Sequence, residues 1–598
     1  VLSWHVGHPI VEKKEMQRDG KSYLSYRLKL EDGFYSHYRG HPYFVIASRR
    51  DEPSPDIGAV HYRYSYTVGD RRYEGVGDER RLVLADRIEG ARPKQTITGF
   101  WPPYQSRHLH EMGATLNRMF GFYRDLGFNW VVGGQGGREV YEAGKASGFT
   151  VMSSGPPLLN GLMLRGIETQ EADHFEYHES AKKHRAGYIG KGVCPTVLAS
   201  GKYTDALGEA IRRKLSATDH FYSNWEPYMF LKQGCVCDRC KRAFRDHSGM
   251  SSEEVDRIWP DVVTDDASEA HNSFSSYQYG EVIALMQRAM TEVGKEMGLS
   301  YKPLFAVAYE PAYVDPEHRW SRVHSHSEFY DDVDLAIMWR YHNTTSTTKI
   351  RVPQRHFAGN NLPIVDSFDH AAAIVREVGR DASGERLPNL LFMPTEYYAR
   401  NLVMPRDYYF ISLLEFFYGF KGYCTWCTAF KQDARYLALH ARANTLISEC
   451  EDVIRTGTPL SGLETRIVSP VPDVGRKLLF AKGYAHGGEH LIALGNDYLR
   501  KVYVQLRVPG IPAGEYGLVD RVSCRVYTKD GGPGWSESDL AGGVWIEVAG
   551  KEWAVLEVRV DAREAVSGND RVTDMQVRAR AERDSASLQD YAEAIARY

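Results

Sequence analysis

Hydrophobic and polar positions follow different rhythms in three stretches of the chain. Up to about residue 92 the runs YLSYRLKL, HPYFVIASRR, VHYRYSYTV and RRLVLADRI are short and alternating or apolar, and the clusters EDG, DEPSPDIG and GDRRYEG separate them. A period near two, broken by Gly, Pro and Asp, predicts strands joined by tight turns. The expectation for residues 1–92 is a small N-terminal β-sandwich.

From about residue 93 strand-length apolar runs alternate with longer segments of helical period. TITGFWPPY, FNWVVGG and GFTVMSSG predict the first three strands, with HEMGATLNRMFGFYRDLG as a helix between the first two, and Phe221 to Trp225 the fourth. PLFAVAYEP, VDLAIMWRYHN, NLLFMPTEYYA and GYCTWCTAF continue the series, and SFSSYQYGEVIALMQRAMTEVGKEMG and FISLLEFFYGF supply helices. LPIVDSFDH is assigned to an excursion ahead of a helix rather than to a ninth strand. Strands alternating with helices imply an α/β fold with a parallel sheet, and eight units over 93–457 close economically as a (β/α)8 TIM barrel.

The helix YLALHARANTLISECEDVIRTG ends the barrel and TPLSG links it to a further series of strand-length runs, from ETRIVSPVP to WAVLEVRVD. These predict a C-terminal β-sandwich over 458–585, with SLQDYAEAIARY as a terminal helix over 586–598.

Length agrees with this division, since 598 residues exceed one core and ~150 residues per domain allow about three or four. A 43% hydrophobic, 25% charged composition is that of a soluble globular protein. Lys plus Arg number 74 against 78 Asp plus Glu, so a net charge of −4 gives no electrostatic reason to expect nucleic acid or an anionic membrane as partner. No apolar run approaches the roughly 20 residues that span a bilayer. VLSWHVGHPI begins with Val and lacks a basic region followed by an apolar stretch, as expected of a processed or trimmed product, cytoplasmic or exported. The 38 tyrosines and 11 tryptophans suit sugar-stacking surfaces and serve β-domain packing equally well. A homo-oligomer is compatible with all of this.

The densest chemistry lies in DHFYSNWEPYMFLKQGCVCDRCKRAFRDH. Pro227 stops the aromatic strand, so Glu226 stands where strand four opens into a loop, a place suited to acid/base work. Cys235, Cys237 and Cys240 then form C-x-C-x-x-C, a spacing that suits a metal better than a disulfide. LLFMPTE ends strand seven at Glu396. Two carboxylates from strands four and seven could face one another at the roughly 5 Å of a retaining glycosidase, Glu226 as acid and base and Glu396 as nucleophile. Glu310, which follows Tyr309 at the end of strand five in a Glu-Pro, is a competing catalytic carboxylate.

In these residues the chain resembles clan A glycoside hydrolases, and within them the family 42 β-galactosidase type, as a distant relative. The resemblance covers the barrel. It implies that Glu226 is the acid/base and Glu396 the nucleophile, and that Cys194 in GVCPTV joins Cys235, Cys237 and Cys240 around a structural zinc, with no catalytic cofactor. It implies a carbohydrate substrate, with Trp426 stacking on a sugar and Tyr341 near the nucleophile; His342 and Asn343 follow Tyr341 at the end of strand six. Asn224 and Trp225 would also meet substrate, but Trp225 precedes Glu226 where the family has Asn. The expected activity is therefore exo-acting, retaining hydrolysis of a β-linked glycan, with a carbohydrate-binding barrel lacking hydrolysis as the alternative. Arg118 or Arg138 would hold the nucleophile ionised. Cys424 and Cys427, in CTWC, read as core cysteines, and Cys450 and Cys524 suggest no role.

Overall fold

The computed structural model describes residues 2–3, 10–18, 20–28, 44–45, 59–60, 63–68, 70–76, 80–81, 88–100, 113–132, 138–154, 167–179, 192–223, 234–265, 267–309, 335–340, 365, 390–394, 405–425, 434–468, 477–498, 500–532, 534–560 and 570–596. In the N-terminal stretch they form four separate two-stranded pairings. The longest joins Ile10–Arg18 to Lys21–Leu28, and another joins Arg63–Val68 to Arg71–Val76. The second pairing corrects the sequence reading, which gave GDRRYEG to a turn: Asp70 does turn the chain, but Arg71 to Val76 return as a strand. Arg71, Arg72, Tyr73 and Glu74 are all exposed, so the strand lacks the buried alternation that marks one and its sequence looks like a polar loop.

Eight parallel strands close into a barrel in chain order. They are Ile97–Phe100, Trp130–Val132, Thr150–Ser154, His220–Ser223, Phe305–Tyr309, Leu335–Arg340, Leu390–Pro394 and Gly422–Thr425, called strands one to eight below. All four residues of strands one and eight are buried, as expected of strands covered on both faces. Phe100 points into the helical layer, stacking on Tyr123 at 4.0 Å between ring centroids. The barrel closes where strand eight pairs with strand one, Gly422 opposite Ile97. Gly422 adopts φ +154°, and a Cβ there would lie 1.8 Å from the Ile97 carbonyl oxygen, so only glycine permits the last strand to approach the first this closely.

The lower rim, at the N-terminal ends of the strands, is tied by buried polar side chains. Glu451, on the helix Ala434–Thr456, accepts hydrogen bonds from the backbone N–H groups of Lys94, Gln95 and Thr96 at 2.7, 2.9 and 3.1 Å. The last helix thus holds the segment leading into strand one. Asn129 donates to the carbonyls of Pro93 and Thr96 and accepts from Thr98 N–H, joining strand one to strand two. Asp219 accepts from Val151 N–H at 2.8 Å and Tyr301 O–H at 3.0 Å and pairs with Lys145 at 2.9 Å. His220 stacks on Trp130 and its Nδ1 accepts from Leu304 N–H at 3.1 Å.

Beyond the barrel, a large sheet runs in the order Thr458–Pro459, Leu479–His486, Glu489–Asn496, Glu552–Val560, Glu515–Asp520, Arg525–Thr528 and Asp570–Thr573, with Trp535–Ser536 added beside Glu515–Asp520. A second sheet joins Glu464–Ile467, Val502–Arg507 and Val544–Val548. The expected linker TPLSG therefore begins as an edge strand. The terminal helix spans Asp574–Ala596 and begins well before residue 586, directly after the Asp570–Thr573 strand. Trp553 joins this region to the barrel: its ring lies 5.0 Å from both Phe410 and Phe417 of the helix Pro405–Tyr418. Among the described residues no helix is long and apolar enough to cross a membrane.

Candidate active site and metal centre

All eight strands are parallel, so their C-terminal ends share one rim of the barrel. Strand four ends at Ser223, strand five at Tyr309, strand six at Arg340, strand seven at Pro394 and strand eight at Thr425. Asn224, Trp225, Glu226, Glu310, Tyr341, His342, Asn343, Glu396 and Trp426 each follow one of these ends by one to three residues and lie outside the described residues. Tyr309 is described as the last residue of strand five, in register with Met338. Arg138 is exposed at the start of the helix Arg138–Ala146, its Nε 2.6 Å from Glu142 one turn on, so its charge is already paired. Arg118 lies on the helix Gly113–Asp125.

The described residues of this rim bring the four named cysteines together. Cys194 comes from the connection after strand three and immediately precedes the short helix Pro195–Ala199. Cys235, Cys237 and Cys240 come from the connection after strand four, where Cys237 precedes the helix Asp238–Ser248 and Cys240 sits in its first turn. All four are buried, and their sulfurs lie within 4.8 Å of one another. Cys194 Sγ is 3.6 Å from Cys237 Sγ and 3.3 Å from Cys240 Sγ. A disulfide would need roughly 2.05 Å, whereas four sulfurs ~2.3 Å from a central zinc stand ~3.8 Å apart. The arrangement fits a tetrahedral tetrathiolate metal site.

The electrostatics point the same way. Hydrogen bonds from Cys235, Cys237 and Cys240 hold the Cys194 thiol far below its ordinary range, while the same contacts push Cys235 and Cys240 far above it. Cys237, pushed up by Cys194 but down by Cys235 and Cys240, is lowered to about 7. A cation among the four sulfurs would let all of them ionise together.

Around the sulfurs lies a set of donors that sequence reading missed. Glu176 N–H donates to Cys235 Sγ at 3.4 Å, Thr196 Oγ1 lies 3.1 Å from Cys240 Sγ, and Gln278 Nε2 donates to Thr196 Oγ1 at 2.7 Å and to Cys240 Sγ at 3.5 Å. Gln278 belongs to the helix Glu269–Glu296, which buries His271, Asn272, Ser275, Ser276 and Gln278. That polar run, where helical period asks for apolar residues, was the available signal. The loop is further anchored by a small apolar core of Phe244, Val255, Val262, Val263 and Phe274.

The other cysteines behave differently. Cys424 is buried in strand eight, and a Cβ on Gly99 would touch its Cβ and Sγ at 3.4 and 3.5 Å, so it fills space. Cys450 is buried, which pushes its thiol up to about 12. Cys427 lies outside the described residues.

No family model matches the sequence, and no curated protein does. Among solved structures, a β-galactosidase from Rahnella sp. R3 aligns with 79% of this chain and 100% of its own at 8% identity and a TM-score of 0.48. A GH42 β-galactosidase from G. stearothermophilus aligns over 79% and 100% at 8% identity and a TM-score of 0.42. A maltogenic α-amylase from Thermotoga neapolitana aligns over 78% and 98% at 10% identity and a TM-score of 0.41. Likenesses of this degree carry no weight for fold or activity, and the barrel rests on its own strand pairing.

Proposed function

We propose that the chain is a glycoside hydrolase, acting with retention and from the chain end on a β-linked glycan or oligosaccharide. One observation carries the reading: in a closed barrel, strands four and seven stop at Ser223 and Pro394, just ahead of Glu226 and Glu396. Active sites of such barrels gather at this rim. Glu226 would protonate the leaving oxygen and then activate water, and Glu396 would attack the anomeric carbon. Asn224, Trp225, Tyr309, Tyr341, His342 and Trp426 would line the sugar site.

Cys194, Cys235, Cys237 and Cys240 would hold a structural zinc. With four thiolates the site is closed, so the ion would supply no catalytic step and would instead tie the connection after strand three to the connection that carries Glu226. A second reading has one specific support: Glu310 follows the last residue of strand five with no intervening position, and could replace Glu226 as the acid.

The test is a screen of aryl glycosides of both anomers, followed by natural oligosaccharides. Hydrolysis of a β-glycoside that Glu396→Gln abolishes supports the reading. Sugar binding without hydrolysis across both panels would favour the binding protein instead.

A further inference from the structure

Side chains from three helices meet at one sulfur of the cysteine cluster. Thr196 lies in the short helix Pro195–Ala199, Cys240 in the first turn of Asp238–Ser248, and Gln278 on Glu269–Glu296. They form a tight triangle: Gln278 Nε2 stands 2.7 Å from Thr196 Oγ1 and 3.5 Å from Cys240 Sγ, and Thr196 Oγ1 stands 3.1 Å from Cys240 Sγ. The amide is nearest the hydroxyl, so Gln278 acts on the sulfur chiefly through Thr196.

The direction of this chain follows from which groups can donate. An amide nitrogen only donates, so Thr196 Oγ1 accepts from Gln278 and keeps its own proton to give. Among the described residues its other partner is Cys240 Sγ. A sulfur that binds a metal is a thiolate and has no proton to offer, so there the hydroxyl must donate. A hydrogen bond to a charged acceptor is roughly twice as strong as one between neutral groups.

The relay is also set in advance. Gln278 is buried, and a buried amide needs partners; it spends its nitrogen on the cluster. Its helix is fixed to the barrel by Gln287, which accepts from Phe305 N–H at 2.8 Å and donates to the Pro303 carbonyl at 2.9 Å, where strand five begins. Donors already held in place lose little freedom when a ligand arrives.

We propose that Gln278 and Thr196 form a donor relay onto Cys240, positioning residues that touch no substrate and set how tightly the four thiolates hold a divalent cation. The inference rests on the zinc reading above. Loss of an outer partner of this kind typically weakens metal binding about 10–100-fold.

The test is competition for Zn²⁺ between the full-length protein and a chromogenic chelator, comparing wild type with Thr196→Val, Thr196→Ser and Gln278→Glu. Thr196→Val keeps the shape but loses the hydroxyl, and is expected to lower affinity about 10–100-fold. Thr196→Ser keeps the hydroxyl and should retain most of the affinity. Gln278→Glu keeps the shape but replaces a donor by an acceptor, and should lose at least as much as Thr196→Val. Tetrahedral thiolate spectra of the Co²⁺-substituted proteins establish that each variant is folded around an intact ligand set. Wild-type affinity in both Thr196→Val and Gln278→Glu would overturn this inference alone. An equal loss in Thr196→Val and Thr196→Ser would assign the effect to packing and overturn it too. Failure of the wild type to bind Zn²⁺ or Co²⁺ would overturn the zinc reading, and this one with it.

Discussion

The two rims of the barrel bury polar side chains to different ends. At the lower rim Glu451, Asn129 and Asp219 spend their oxygens and nitrogens on backbone groups and fixed partners, so each polar atom is answered within the protein. At the upper rim Cys194, Cys235, Cys237 and Cys240 are answered mainly by one another, four buried sulfurs within 4.8 Å that a bound cation would complete. Satisfied polar burial reads as stability; polar burial that asks for something absent from the chain reads as a site. The lower rim should therefore fail by unfolding, and the upper rim by losing a ligand or an activity.

Acid should weaken the lower rim and the barrel core beside it most strongly. Burial lowers His220 to about 4, and likewise lowers to about 3 His440, buried on the helix Ala434–Thr456 against Phe128 and Tyr423, so both rings are neutral in the fold. Below the unfolded value of about 6.5 the unfolded chain gains protons that the fold refuses, and this stability, intact above that value, is lost as pH falls toward the folded values. Urea unfolding should show a loss of about 3 kcal/mol per histidine between pH 7 and pH 4. His220→Asn and His440→Gln should each flatten part of that slope; an unchanged slope in both would remove the histidines from the account.

Gly422→Ala probes the closure itself. Because the added Cβ meets backbone rather than a flexible side chain, strand eight must move away from strand one. A loss of about 3 kcal/mol is expected in chemical denaturation. A loss under ~1 kcal/mol would mean the seam yields more easily than its geometry implies.

Removing metal should do least to global stability and most to one place. Chelation should raise hydrogen exchange across residues 234–265 and leave strand one, Ile97–Phe100, as protected as before. Uniform loss of protection would merge the two rims into one cooperative unit.

How much of this was legible in the sequence follows from the same contrast. Barrel strands such as Ile97–Phe100 and Gly422–Thr425 are buried on both faces, so short runs free of charge and bounded by turn residues revealed them. Arg71–Val76 was hidden because its polar residues face water, and the start of the terminal helix because Asp574 to Glu582 alternate charge without a clear apolar stripe. C-x-C-x-x-C announced the cysteine cluster through local spacing, and the resemblance brought in Cys194. Thr196, Gln278 and Glu176 come from three distant segments, so no local pattern could name them.

The central claim is that the carboxylates following strands four and seven perform the chemistry, and leaving-group dependence tests it most directly. Wild type, Glu226→Gln and Glu310→Gln would be assayed on aryl β-glycosides whose leaving groups run from activated to unactivated. A missing general acid harms poor leaving groups most, because an activated phenol departs with little protonation. The account predicts that Glu226→Gln steepens this dependence by about 10²-fold or more across the series, while Glu310→Gln keeps the wild-type slope. A slope unchanged in Glu226→Gln and steepened in Glu310→Gln would contradict it and move the acid to strand five.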